Sequence, residues 1–220
     1  TMSLVYDLTS ELRITSPEDK RLHGTIGASY YRRYGPSTAN WGFLQNGRFN
    51  GAATKSSVAT PAVFGGLYFD LTPTLKLGAE GRYQWDGITQ QQSFPTASPK
   101  LKETYTSFSP RLTVDWTVTP EQLLYATWSK GYQPGGFNPN LVTLSVNERA
   151  QLAGFGTNLA FAQETLNNYE VGYKASLFDR RLRTTASVYY MTWRNGQVSN
   201  GQFIRTDAVI SAGQAGADDR

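Results

Sequence analysis

Cysteine is absent from the 220 residues, and histidine occurs once, as His23. Disulfide scaffolds, thiol catalysis and Cys-ligated zinc or iron–sulfur sites are thereby excluded, as is any site that needs two imidazoles. Charge is also scarce: charged residues make up 17% of the chain, against roughly 25% in ordinary soluble domains. The net charge of +4 is mild and no block of five like charges occurs, so nucleic-acid binding has no support. The longest nearly apolar run, Ala62–Phe69, falls short of the roughly 20 residues of a spanning helix, and the mean hydropathy is −0.44. No charged-then-apolar leader opens the chain. It begins inside what reads as a strand, which predicts a fragment or a processed form. Aromatics are abundant instead: Tyr 13, Phe 11, Trp 5.

The dominant pattern is alternation with period two. In Leu75–Asp86, one set is Leu75, Leu77, Ala79, Gly81, Tyr83 and Trp85; the other is Lys76, Gly78, Glu80, Arg82, Gln84 and Asp86. A strand puts these sets on opposite faces, whereas a helix would scatter them. The same split recurs around Leu4–Ile14, Leu22–Tyr30, Val63–Leu71, Phe108–Trp116, Tyr169–Leu177 and Leu182–Tyr190. In Gln122–Tyr132 the pattern is ambiguous, with Leu124, Ala126 and Trp128 assigned to the apolar face. Eight strands follow, with a weaker ninth near Gln202–Ile210. Short links (Ser16–Arg21, Thr72–Thr74, Thr117–Glu121, Phe178–Arg181) alternate with longer ones (Gly35–Thr60, Gly87–Lys102, Gly131–Gln163, Asn195–Gly201). An up-and-down meander then gathers all short turns at one end and all long loops at the other.

Periodicity alone does not say which face is inside. A soluble sandwich buries its apolar face, whereas an outer-membrane barrel turns it toward lipid. Three features favour lipid. Several strands reach the 9–11 residues needed to cross a bilayer obliquely. Aromatics gather at strand ends, with Tyr30, Tyr34, Tyr83, Trp85, Tyr132, Tyr169, Tyr190 and Trp193 toward the long loops and Trp116, Tyr125 and Phe178 toward the short turns; this predicts two interfacial girdles. The sorting of short and long connections also fits periplasmic turns and extracellular loops.

Leu124–Asn138, LYATWSKGYQPGGFN, resembles the "lYa-x-x-s-x-Gy-x-x-GGfn" segment of TonB-dependent outer-membrane receptors. Glu164–Trp193 is similar to their "E-x-x-x-nyElG-K" strand pair, Ser10–Ser16 to their "qElRl-s" strand, and Phe64–Arg82 to their "lt-x-x-l-x-l-x-x-GlR" hairpin; Ser109–Leu112 fits the strand that follows. These pieces keep family order across nearly the whole chain. The resemblance implies an all-β fold: an antiparallel up-and-down transmembrane β-barrel segment, with eight or nine strands of a barrel of about 22. It implies residues 1–210 as a partial barrel domain and 211–220 as a short polar tail. The family would continue with a strand bearing "G-x-E-x-e" where this chain has Gly213–Arg220, so truncation is expected there. It further implies the bacterial outer membrane as location, no enzyme activity and no cofactor or metal. The function implied is import of a scarce ligand, foremost an iron–siderophore complex. The implied partners are outer-membrane lipid and lipopolysaccharide, a plug domain, TonB and the small ligand. A free-standing small outer-membrane barrel with a structural or adhesive role is the alternative. An outer-membrane hydrolase has only the single histidine behind it.

On that reading, Lys76, Glu80, Arg82, Asp86, Arg111, Asp115, Glu170, Lys174 and Arg183 face the lumen, where they escape the roughly 2–4 kcal/mol cost of a cation at mid-bilayer. They either dock the plug or form a solvated, self-neutralising wall, and the second is the favoured reading. Ligand capture falls to the long loops and upper lumen: Trp41, Phe43, Arg48, Phe94, Phe137, Asn138 and Phe155 are the candidates, the aromatics for stacking and the arginine for an anionic chelate. Tyr31, Arg33 and Arg82 are secondary. For any one of them, simple loop packing is the commoner role. Arg32 shares the parity of Tyr30 and breaks the pattern; at the loop end it can snorkel to headgroups or lipopolysaccharide phosphate. Gly131, Gly135 and Gly136 lack the Lys-Ser/Thr of a P-loop and read as a strand leaving its ladder. His23 reads as a structural hydrogen-bonding residue, Asp218–Asp219 as solvated, and Pro110 as the site of a bulge or local break. A barrel piece of this kind exposes two unpaired edges and an apolar outer face, so poor solubility without detergent is expected.

Overall fold

The computed structural model describes residues 5–37, 43–45, 48–50, 53–94, 97–199, 202–203, 209–210 and 214–216, with side chains for 5–35, 54–93, 97–139 and 141–198. One antiparallel sheet dominates. Its strands are β1 (Tyr6–Thr15), β2 (Leu22–Ser37), β3 (Ala53–Thr72), β4 (Leu75–Phe94), β5 (Leu101–Thr119), β6 (Gln122–Gln133), β7 (Glu164–Leu177) and β8 (Leu182–Arg194). They lie side by side in chain order. The meander does not close on itself: its order begins at β1 and ends at β8, which share no ladder. An eight-stranded sheet open at both edges does not make the free-standing small barrel named as the alternative.

The register sorts the side chains. Leu12, Ala28, Val63, Tyr83 and Phe108 occupy one face, and Val114, Ala126, Val171 and Val188 continue it. Leu124 and Trp128 belong to the same face, as the sequence suggests. These apolar residues are exposed: Leu77 is 36%, Val114 41% and Val188 79% accessible. No dry centre joins them. Burial instead collects on the polar face, at His23, Thr60, Ala62, Asp86 and Ser107, as expected of the crowded inner side of a curved wall. A sheet with an accessible apolar face and a crowded polar one is a barrel wall rather than half of a sandwich.

Two expected loops are largely strand. β3 and β4 each run 20 residues and β5 runs 19, well beyond the 9–11 that cross a bilayer. Their outer parts, Ala53–Thr60 and Gly87–Phe94, are rich in Ser, Thr and Gln on both faces. A strand wetted on both sides has no apolar alternation to detect; the ladder to its neighbours holds it instead. The expected ninth strand is not continuous either. Gln202–Phe203 pairs with Val209–Ile210, and Gln197–Ser199 with Gln214–Gly216, each pair apart from the main sheet.

Pro110 causes no bulge in the β4–β5 ladder, where it sits opposite Gly81. The β5–β6 ladder, however, begins one residue later, at Arg111↔Ser129. Proline therefore stands where β5 loses its second neighbour, so its missing N–H breaks no ladder on that side. The rungs are also slanted. A single row runs Thr15, Thr25, Gly66, Glu80, Arg111, Ser129, Asn168, Met191. It starts at the last residue of β1 and ends at Met191, nine positions beyond Leu182 at the foot of β8. Such stagger is the shear of a barrel with tilted strands.

Candidate ligand-binding site

Alternation places Lys76, Glu80, Arg82, Asp86, Arg111, Asp115, Glu170, Lys174 and Arg183 on the polar face of their strands, and the register keeps all nine on that one face. Most are partnered. Lys76 pairs with Asp70 at 3.6 Å and stands opposite Asp115; Arg111 meets Glu80 at 3.8 Å. Tyr68 donates its hydroxyl to Glu80 at 2.7 Å, and Tyr125 donates to Glu170 at 2.6 Å with the Lys174 ammonium over its ring. A longer chain crosses three strands: Arg82 donates to Ser29 (3.1 Å) and Gln84 (2.9 Å), Gln84 donates to Asp86 (2.8 Å), and Thr60 donates to the other Asp86 oxygen (2.8 Å). Near the long-loop end, Tyr31 donates to Asp7 at 2.9 Å and Arg33 approaches it at 3.9 Å. Opposite charges meet like this along a wall that balances itself. His23 stacks on Tyr68, and its Nδ1 lies 3.0 Å from the Lys20 carbonyl.

The loop between β6 and β7 is folded. Pro139–Thr143 forms a 3-10 turn and Val146–Ala153 a helix, α1. A capping box starts α1: the Glu148 N–H donates to Ser145 Oγ, and the Ser145 N–H donates to Glu148. Leu141 and Leu152 form a small buried core, with Leu144 and Leu159 against it. Gly136–Phe137 pairs with Ala160–Phe161 and closes the loop's base. The base leans on the half of β5 that β6 has left. Tyr105 donates to the Phe161 carbonyl at 3.5 Å, and the Phe137 N–H donates to Gln90 of β4 at 3.1 Å. Gly135 makes this possible: a Cβ there would meet the Tyr105 ring at 2.7 Å and also strike the Phe161 carbonyl.

A second junction ties the loop to the chain beyond β8. The buried Glu164 carboxylate accepts from Trp193 Nε1 at 3.3 Å and from the Gln197 N–H. Gln197 donates through Nε2 to the Pro134 (2.9 Å) and Ala162 (3.2 Å) carbonyls and accepts from Gln133. Asn195 donates to the Gln163 carbonyl at 3.2 Å. Sequence reasoning passed over Glu164, Trp193 and Gln197 as site residues. The available signal was parity: Trp193 falls with Glu170 and Lys174, not with Tyr190.

The candidate capture residues are not all brought together. Trp41 lies outside the described residues. Phe43 and Arg48 belong to a two-stranded hairpin in which Gln45 pairs with Arg48, and Phe94 ends β4 opposite Ala53; the side chains of all three lie outside the described residues. Phe137 is half-buried in the loop base. Asn138 is buried: its Nδ2 donates to the Asn158 carbonyl at 2.6 Å and its N–H to the Leu159 carbonyl at 2.8 Å. Phe155, after α1, is 55% accessible. Two residues assigned to the aromatic girdles sit on the polar face instead, Tyr125 opposite Gly172 and Trp193 opposite Leu166. A groove of about 840 Å³ opens at the short-turn end between Arg21, Asp70, Lys76 and Asp115, away from the capture candidates.

The family model described as TonB dependent receptor-like, beta-barrel matches residues 2–215. Among solved structures, the chain is similar to the ferric yersiniabactin uptake receptor FyuA from Yersinia pestis, with a TM-score of 0.68 and 16% identity over 89% of this chain and 30% of that one. The alcaligin outer-membrane receptor FauA from Bordetella pertussis gives 0.58 and 14% over 96% and 33%. The ferric-catecholate import receptor Fiu from K12 E. coli, in its closed form, gives 0.61 and 13% over 96% and 34%. At these identities the likeness is one of fold, and the chain spans about a third of the length of each of these receptors.

Proposed function

The chain belongs to the TonB-dependent receptor-like β-barrel family, outer-membrane transport proteins rather than enzymes, and from that premise we propose that it supplies part of the barrel wall and the capture loops of a receptor that imports a ferric siderophore. The observation that carries this reading is the sidedness of the sheet. Its apolar face is accessible, its polar face is a self-balanced ionic wall, and its folded loop stands at the end where β3, β4 and β5 outrun a bilayer. The siderophore class is supported by what the similar receptors are named for.

In this reading residues 1–210 are wall and loops, and 211–220 are a short polar tail. The ionic residues of the polar face line the lumen beside a plug domain, and TonB acts through that plug. Phe43, Arg48, Phe94 and Trp41 belong to the two long connections Gly35–Thr60 and Gly87–Lys102, and Phe155 adds an accessible ring from the folded loop. Rings stack on aromatic or conjugated chelators, and a guanidinium meets the negative charge that a ferric chelate carries. The experiment is a binding panel on the complete receptor, with ferric siderophores, cobalamin and oligosaccharides compared by intrinsic tryptophan quenching. Tight binding of a ferric siderophore, weakened in Arg48→Gln and Phe155→Ala, supports the reading. Binding of cobalamin or an oligosaccharide alone overturns it.

A further inference from the structure

The polar face of the wall has one stretch that is not ionic. On the upper half of β8 its residues are Tyr189, Met191 and Trp193, with Leu166 of β7 across from Trp193. The three span about 13 Å along the strand. Tyr189 is 62%, Met191 48% and Trp193 58% accessible. On the other strands the described rings of this face are engaged. Phe64 lies over Gly27 with two guanidiniums near it, and Tyr31, Tyr68, Tyr105 and Tyr125 each donate a hydroxyl. Among the described residues, Tyr189 and Met191 have no hydrogen bond or ring contact. A neighbouring strand in a whole barrel flanks β8 at its edge and leaves this face toward the bore.

Trp193 is held in place. Its Nε1 donates to the buried Glu164 carboxylate at 3.3 Å. Asn195 adopts a left-handed backbone, with φ 54°, which asparagine tolerates. The turn lays Gly196 against the indole: a Cβ there would stand 3.3 to 3.6 Å from three ring carbons. One side of the ring is thus backed, and the rest faces the bore. Charge decides what can rest on it. On the polar face of β7 and β8 the cations, Lys174 and Arg183, lie toward the short turns, whereas the charges beside the stripe are Glu164 and Glu170. Neither carboxylate enters an ion pair among the described residues. Donation to a carboxylate polarises the indole toward higher electron density. Electron-rich ring faces attract an organic cation, a polarisable thioether suits its methyl or methylene groups, and the two carboxylates repel an anion.

We propose that Tyr189, Met191 and Trp193 form a rest for a protonated or quaternary ammonium group carried by the imported ligand. The inference deepens the import reading and rests on it for a small ligand in the bore, but not on iron. Glu164 and Glu170 keep the negative side of a chelate off this stripe. A ligand that bears both charges is therefore held in one orientation, with its ammonium against β8 and its chelate turned away. Trp193 is the binding residue, and Glu164 positions it.

The test is fluorine NMR of the complete receptor labelled with fluorotryptophan, in a maltoside detergent that carries no ammonium group. The resonance lost in Trp193→Phe identifies Trp193. Two probes of one shape are titrated: choline, and dimethylbutanol, its isostere with a neutral carbon in place of the nitrogen. Choline is expected to move the Trp193 resonance and to bind about tenfold tighter than the alcohol. Met191→Lys sets a like charge in the stripe and weakens choline about fivefold; Met191→Glu strengthens it by a similar factor, and neither changes the alcohol. Tyr190→Phe, on the lipid face, leaves both as in wild type. A Trp193 resonance that choline does not move overturns the proposal, which is the result if a plug or a further segment covers the stripe. Equal affinities for the two probes overturn it too, whether or not the substituted receptors fold. So does a choline affinity that is the same in folded Met191→Lys and Met191→Glu. No siderophore is present in this assay, so its failure leaves the import reading standing, and failure of the siderophore panel leaves the ammonium site standing.

Discussion

The Tyr125 ring lies over Gly172, the residue directly across the β6–β7 ladder, and its hydroxyl reaches Glu170 at 2.6 Å. A side chain at position 172 would occupy the space of the ring. An aromatic laid over a cross-strand glycine fixes register as well as packing. Gly172→Ala is therefore expected to destabilise the barrel by about 1–3 kcal/mol through overpacking. Tyr125→Phe, which loses only the hydrogen bond, should cost about 1 kcal/mol. Urea unfolding of the complete receptor reads both. If Gly172→Ala costs as much in a Tyr125→Ala background as alone, the ring is not what the glycine accommodates.

Sidedness gives a second prediction from two adjacent residues of β8. Val188→Arg places a cation on the lipid face, and Ser187→Arg places it on the polar one. Near mid-bilayer the first costs about 2–4 kcal/mol, while the second stays within about 0.5 kcal/mol of wild type. Val188 is 79% accessible without lipid, so a soluble protein would tolerate the arginine there. Folding yields into vesicles distinguish the two, and equal yields count against the outward assignment.

Removing the Glu164 carboxylate leaves the Gln197 and Trp193 donors without their acceptor. Glu164→Ala is expected to cost about 1–3 kcal/mol locally. The wall should persist while the junction opens. Hydrogen exchange should therefore quicken by about tenfold or more at Gln197 and stay unchanged at Val171 and Val188 in the sheet. Unaltered exchange at Gln197 would show that the carboxylate does not hold the junction.

Docking of the folded loop gives the fourth prediction. Gly135→Val pushes the loop base off Tyr105 and the Phe161 carbonyl. The receptor should remain heat-modifiable and correctly inserted; under the proposed siderophore function, it should bind a ferric siderophore about tenfold or more weaker, because the loop no longer holds one position. Wild-type affinity in this variant would separate loop docking from ligand capture.

The sequence made the wall legible where water and lipid impose opposite demands on its two faces. Leu77, Val114 and Val188 fall on one side, and Lys76, Arg111 and Glu170 on the other, because only that split satisfies both solvents. Above the bilayer the demand vanishes, so Thr54–Thr60 and Ile88–Gln92 read as loop although they are strand. Trp193 and Tyr125 were assigned by nearness to a strand end, while parity alone decides the face. Asn138 carried a surface residue's composition but turned inward, because a long loop that folds needs donors for its own carbonyls. The core of Leu141 and Leu152 is too short a pattern to stand out within a stretch rich in Asn and Gly.

The diagonal row from Thr15 to Met191 governs what a passenger meets. A molecule moving straight down the bore does not follow one strand; it crosses steps of a spiral stair, each offered by a different stretch of chain. Each row of paired residues therefore climbs around the circumference, from residues near the base of β2 to residues well up β8. A mechanical pull on one strand is likewise shared sideways through the treads rather than borne by that strand alone.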